Sequence, residues 1–239
     1  MRARVAPCCY KHPVTEPQPP VDDRCSDCKK PRAICVCDRL AATTTRTRVL
    51  VLQHPQEGDV DLGTVPLLAR GLANCSVKVG LSWASLQHAL ADEVVDNGLW
   101  AVIYPAKIDE SVPEEARAQS VLLLDKRGRL RDDRALEGLV VLDGTWSQAK
   151  TLWWRNPWLL KLGRVLLTPR EPSIYGRMRK EPRREYVSTL EAVADALVEL
   201  GEPEDVRAQL RRAMRTMVQR ARDVAPPRPT GRPRKPQRT

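Results

Sequence analysis

A chain of 239 residues with 42% apolar residues can bury a substantial core, and it holds no run of 18 or more apolar residues to span a membrane. The amino terminus lacks the apolar stretch of a signal peptide, so a cytoplasmic protein with reduced thiols and no membrane partner is expected. Forty basic against 30 acidic residues give a net charge of +10, which favours a polyanionic partner, nucleic acid before membrane.

Residues 1–24 are proline-rich without apolar periodicity and read as a disordered arm. The adjacent Cys8 and Cys9 are treated as bystanders. Cys25-x2-Cys28 followed by Cys35-x-Cys37 puts four thiols within 13 residues, a donor set that satisfies tetrahedral zinc. Two disulfides are the competing arrangement, disfavoured in a reducing compartment. With no open coordination position, a zinc knuckle over 25–40 would serve folding or RNA docking.

Short apolar runs then alternate with amphipathic ones. Strands are expected at 48–53, 76–80, 99–104, 121–124, 139–142 and 163–168, and helices at 64–72, 86–95, 188–200 and 204–222. This is an α/β fold with a mainly parallel sheet flanked by helices, spanning 41–222. His54 ends the first strand and is read as a backbone-bonded strand-end residue. The tail 223–239 is basic and proline-rich and is expected to be disordered, attracting nucleic acid nonspecifically. No G-x-G-x-x-G occurs, so nothing supports a Rossmann-type site.

The most informative stretch runs from Leu139 to Trp158. Leu139-Val140-Val141-Leu142 is unalternating, as in a strand buried on both faces, and stops at Asp143-Gly144. Thr145 and Gln148 have capping-box spacing, so a helix follows. The unit carries a carboxylate at the carboxyl end of a strand, where ligands bind in open α/β sheets. An Asp there is also an ordinary turn residue. The clustered tryptophans are read as core more readily than as a ligand platform. Downstream, Lys161–Arg184 holds eight basic and two acidic residues. Arg170, Tyr175, Arg177, Arg179 and Lys180 there suit phosphate contact and base stacking, although a solvated loop has the same composition. Ser188 and Glu191 form a second capping box.

Asp143, Thr145 and Trp146 resemble the D-x-T-W signature of the DTW-domain family. Ala149, Leu152, Asn156, Pro157 and Trp158 fit the same block. So do Leu167 to Arg170, Tyr175, Arg177 and Ser188 to Ala192, and the resemblance covers about Cys25 to Leu200. It extends to His54, Pro55 and Glu57, and to Tyr104-Pro105, while Gly63-Thr64 matches only part of the family.

The resemblance implies a SPOUT-like fold with a trefoil knot. It also implies a tRNA-uridine aminocarboxypropyltransferase using S-adenosylmethionine (SAM), which moves the 3-amino-3-carboxypropyl group to uridine N3 and releases methylthioadenosine. It places Asp143 as the base, although an ordinary carboxylate of pKa about 3.9 is weak for that proton. It places Tyr104, Pro105, Leu142, Thr145, Trp146, Ser188 and Thr189 around SAM, with amides at the start of the 188–200 helix available to its carboxylate. The partner is tRNA, with no DNA expected, and monomer or homodimer both stay open. A SPOUT-like RNA methyltransferase, an rRNA aminocarboxypropyltransferase and a non-catalytic zinc-bearing RNA-binding protein are the rival readings.

Overall fold

The computed structural model describes residues 23–91, 95–105, 107–131, 135–169, 171–176, 178 and 187–225. Six strands form one sheet: β1 (Arg48–Gln53), β2 (Cys75–Val79), β3 (Trp100–Ile103), β4 (Val121–Leu124), β5 (Gly138–Asp143) and β6 (Gly163–Leu167). The helices are α1 (Val65–Gly71), α2 (Leu86–Leu90), α3 (Glu114–Arg117), α4 (Trp146–Arg155), α5 (Thr189–Glu199) and α6 (Glu204–Val224). The strand order is β2-β1-β5-β3-β6-β4. Every neighbouring pair is parallel except β4–β6. The chain is therefore the expected α/β protein, with one antiparallel strand at an edge.

Two core layers follow from the strand alternation. Val49, Val51, Leu139, Val141 and Val165 face α1, α5 and α6. Leu50, Leu52, Val140, Trp100 and Val102 face the side holding α2, α4 and Trp158. Both faces of β5 are thus apolar, which explains its unalternating sequence. Helix α6 buries Val206, Leu210, Ala213, Met214 and Met217 along one stripe, each large side chain contributing about 1.5–3 kcal/mol. Val36 and Leu40 from the cysteine-rich segment join the first layer.

Helix α2 is shorter than its apolar pattern predicts. Ala91 adopts φ 60° and its amide bonds back to Gln87 and His88, which closes the helix after Leu90. Helix α3 has only four residues, too few to produce a period. No helix among the described residues is long and apolar enough to cross a membrane.

Gly138 opens β5 beneath the fully buried ring of Trp100, and a Cβ there would lie 2.4 Å from that ring. Gly138→Ala should therefore cost about 2–3 kcal/mol in chemical denaturation, since overpacking a filled core displaces a ring with nowhere to go. Wild-type stability in that variant would mean the Trp100 pocket has slack.

Candidate functional site

Parallel pairing brings the carboxyl ends of β1, β5, β3 and β6 to one edge. Asp143 is the last residue of β5 and only 8% exposed. The register sets Gln53 of β1 directly beside it. The Gln53 amide donates to Asp143 Oδ2 at 3.0 Å, and the Thr189 hydroxyl donates to Oδ1 at 2.6 Å. The Asp143 carbonyl accepts from the His54 amide. One carboxylate therefore ties together two strand ends and the first turn of α5. Leu190 N donates to the buried Thr64 hydroxyl at 3.3 Å, which pins the same turn to the entry of α1.

The start of α5 is closed by the expected capping box. Ser188 Oγ accepts from Glu191 N, and Glu191 Oε2 accepts from Ser188 N. Glu191 is 1% exposed and also accepts from the Ser173 hydroxyl and the Ile174 amide, both at 2.8 Å. The amides of Ser188, Leu190 and Glu191 are thus already engaged, and the expected carboxylate cradle narrows to the Thr189 amide. Glu191→Ala would leave one buried and two partly buried donors without their acceptor, so a loss of about 2–4 kcal/mol is expected in urea unfolding. A loss below about 1 kcal/mol would mean that water replaces the carboxylate.

The other expected site residues lie across the sheet. Leu142 and Tyr104 point to the α4 side and are half-buried. Tyr104 stacks on Trp153 at 4.2 Å between centroids and lies parallel to Trp146 at 6.2 Å. Burial raises the Tyr104 phenol above its ordinary pKa. Arg164, itself buried, stacks on Trp153 at 4.7 Å and donates to the carbonyls of Leu159, Leu162 and Gly163. Thr145 is the cap of α4: its hydroxyl accepts from Gln148 N, and its amide donates to Gln148 Oε1 at 2.6 Å. Pro105 is exposed beside Tyr104. Asn156 is fully buried and caps the far end of α4, donating to the Leu81 and Leu152 carbonyls and accepting from Trp83 N and Trp158 Nε1.

Two expectations need correction. Trp146 and Trp154 are 45% and 72% exposed, so these two α4 rings are not core; of the clustered tryptophans only Trp158 is fully interior. Tyr175 is 1% exposed and donates its hydroxyl to the Leu62 carbonyl, so it has no ring face for a base. Arg170, Arg177, Arg179 and Lys180 lie outside the described residues. His54 acts as read: its Nδ1 accepts from Gln56 N and caps a short 3-10 turn. The bond between Gln53 and Asp143 is not legible in the sequence, because the two are remote in the chain, and Thr64, noted there only for its partial match to the family, gains its role from a bond to α5.

The four thiols converge. The Sγ atoms of Cys25, Cys28, Cys35 and Cys37 all lie within 4.8 Å of one another. Cys25–Cys37 and Cys28–Cys35 are 3.9 and 3.7 Å apart. A tetrahedron with Zn–S bonds of about 2.3 Å has edges of about 3.8 Å, so the donor set fits a structural zinc and no thiol pair is bonded. Buried Lys30 sits beside this cluster and donates to the Asp61 carbonyl at 2.7 Å. Desolvation pushes its ammonium down to about 8, against the opposing charges of Cys28 and Asp61.

Comparison with known proteins finds relatives whose names share one activity. The chain is 30% identical over 200 residues to a Drosophila melanogaster protein named tRNA-uridine aminocarboxypropyltransferase 2, covering 82% of this chain and 73% of that one. It is 31% identical over 178 residues to the Mus musculus protein of the same name, and spans 55% of that longer relative. It is 29% identical over 217 residues to Arabidopsis thaliana tRNA-uridine aminocarboxypropyltransferase A, covering 81% of this chain and 79% of the relative. No solved structure matches significantly. A family model described as the DTW domain matches residues 22–222, and with the Asp143-Gly144-Thr145-Trp146 turn at the sheet edge the chain belongs to the DTW-domain family.

Proposed function

We propose that this chain transfers the 3-amino-3-carboxypropyl group of SAM to N3 of a tRNA uridine. The new bond joins N3 to the γ carbon of the methionine part. The C–S bond breaks, methylthioadenosine leaves, and the N3 proton passes to a base. The sulfonium activates three carbons, so positioning alone selects the γ carbon over the methyl.

The observation that carries the reading is a buried carboxylate at the carboxyl edge of a parallel sheet, where such sheets present ligands, followed three residues later by an exposed Trp, in a chain of this family. Asp143 would take the proton, with Gln53 and Thr189 holding its two oxygens in place. Trp146 and Tyr104 would wall the adenine or uracil, with Leu142 and Pro105 beside them. The Thr189 amide would meet the SAM carboxylate, Ser188 and Thr145 setting the helix starts on either side. Arg170, Arg177, Arg179 and Lys180 would meet tRNA phosphates. Zinc on Cys25, Cys28, Cys35 and Cys37 would hold the knuckle in shape.

Mass analysis of nucleosides and small products after incubation with unmodified tRNA and SAM tests this. Aminocarboxypropyl-uridine with methylthioadenosine is expected. Methylated nucleoside with adenosylhomocysteine would overturn the reaction class.

A further inference from the structure

Helix α4 carries an outward stripe that starts at Trp146, which the proposed chemistry uses, and runs on to Lys150 and Trp154, which it does not. Trp146, Lys150 and Trp154 recur at i, i+4 and i+8 and therefore share one face. That face extends about 12 Å along the helix. Trp154 is 72% exposed, Trp146 45% exposed, and Lys150 is exposed between them. The helix is anchored by Leu152, which lies across the helix from Trp154, and by Ala149, so Trp154 cannot turn inward. Arg155 is exposed at its end, and the helix contains no Asp or Glu.

A ring this large left in water is unusual, and its surroundings indicate what it meets. Flat aromatic faces alternating with cations, without acids, match unpaired nucleotides: bases stack on the rings and phosphates pair with the cations. A second copy of the chain could also cover a Trp, but an interface of that kind gains nothing from the basic residues along it. The stripe is continuous with the candidate site, because Trp146 begins α4 two residues after Gly144 and lies parallel to Tyr104.

We propose that Lys150 and Trp154 extend the site outward from Trp146: Trp154 stacks an unpaired base that flanks the target uridine, outside the catalytic pocket, and Lys150 meets the intervening phosphate. The identity of the RNA rests on the transferase reading above; the stacking chemistry does not.

The test uses the full chain and an unmodified tRNA transcript, with binding followed by fluorescence anisotropy and SAM binding by calorimetry. Trp154→Ala should weaken tRNA binding about tenfold, the worth of one stacked base. Trp154→Phe should recover most of it, and SAM affinity should not change in either variant. Lys150→Gln should reduce the slope of log K against log salt by about one. Both positions are exposed, so the variants should melt with the wild type.

Wild-type tRNA affinity in Trp154→Ala overturns the proposal. So does a shift from dimer to monomer in sedimentation, which would assign the stripe to a second copy. If Trp154→Ala loses tRNA affinity but the wild-type protein forms no aminocarboxypropyl-uridine, the stripe stands and the reaction reading falls. If product forms with an unchanged KM for tRNA in Trp154→Ala, the reaction stands and the stripe falls.

Discussion

Asp143→Asn should lower kcat for aminocarboxypropyl transfer by about 100- to 10,000-fold, the range for removing a positioned proton acceptor. KM for tRNA and SAM affinity should stay within a few-fold. The substitution is nearly isosteric. The new amide oxygen can accept from Gln53, and its NH2 group can donate to the Thr189 hydroxyl, so the ties among β1, β5 and α5 survive. Only the negative charge and the capacity to take a proton are lost. A kcat within threefold of wild type would make Asp143 a strand-end clamp. Thr189→Val separates the two roles further. It removes one clamp bond and keeps the carboxylate, so its effect on kcat should be far smaller than that of Asp143→Asn.

Local signals carried far into this fold, and they stop where pairing becomes nonlocal. Consecutive apolar runs mark β1 and β4 to the residue and the other strands to within one or two. Capping spacings mark the starts of α4 and α5, since a box is a contact between residues three apart. The antiparallel setting of β4 was not legible, because a strand of four buried apolar residues looks alike in either direction. The end of α2 depended on a left-handed alanine, which local propensity does not favour.

The same boundary runs through the site. Asp143 was legible because a buried run ended on it. Gln53 was not, because its bond to Asp143 spans 90 residues and exists only through the parallel register. Tyr175 was misread because its basic neighbours suggested RNA, whereas its hydroxyl reaches a carbonyl 113 residues away. The exposed tryptophans were misread because helical spacing reports that rings share a helix and leaves open which face meets the sheet. Trp154 falls on the side of α4 away from the buried Leu152, while Trp146 sits one turn before the buried Ala149 at the margin of the covered face, and only burial distinguishes the two situations.

Cys28→Ser should release about one zinc per chain and lower the melting temperature by about 10 °C or more. The segment 25–37 contains one single-turn 3-10 helix and the first residue of a second, with few buried apolar side chains, chiefly Cys28, Ile34 and Val36. Ordering its 13 residues costs on the order of 10–20 kcal/mol of backbone entropy. Structural zinc supplies about 10–16 kcal/mol in comparable small sites, so a zinc ion held by these four thiols would nearly balance that cost. The damage would not stay local. Val36 and Leu40 belong to the core that α1 and α6 share, and the Arg220 guanidinium of α6 donates to the Cys35 carbonyl. Releasing the knuckle therefore uncovers one side of α6, the helix that packs most extensively on α5 and so backs the Thr189–Asp143 contact. Transfer activity should fall with the metal even though no thiol touches substrate. A zinc-free wild-type protein whose intact mass is four hydrogens below the fully reduced chain would replace the metal with two disulfides and sink this account.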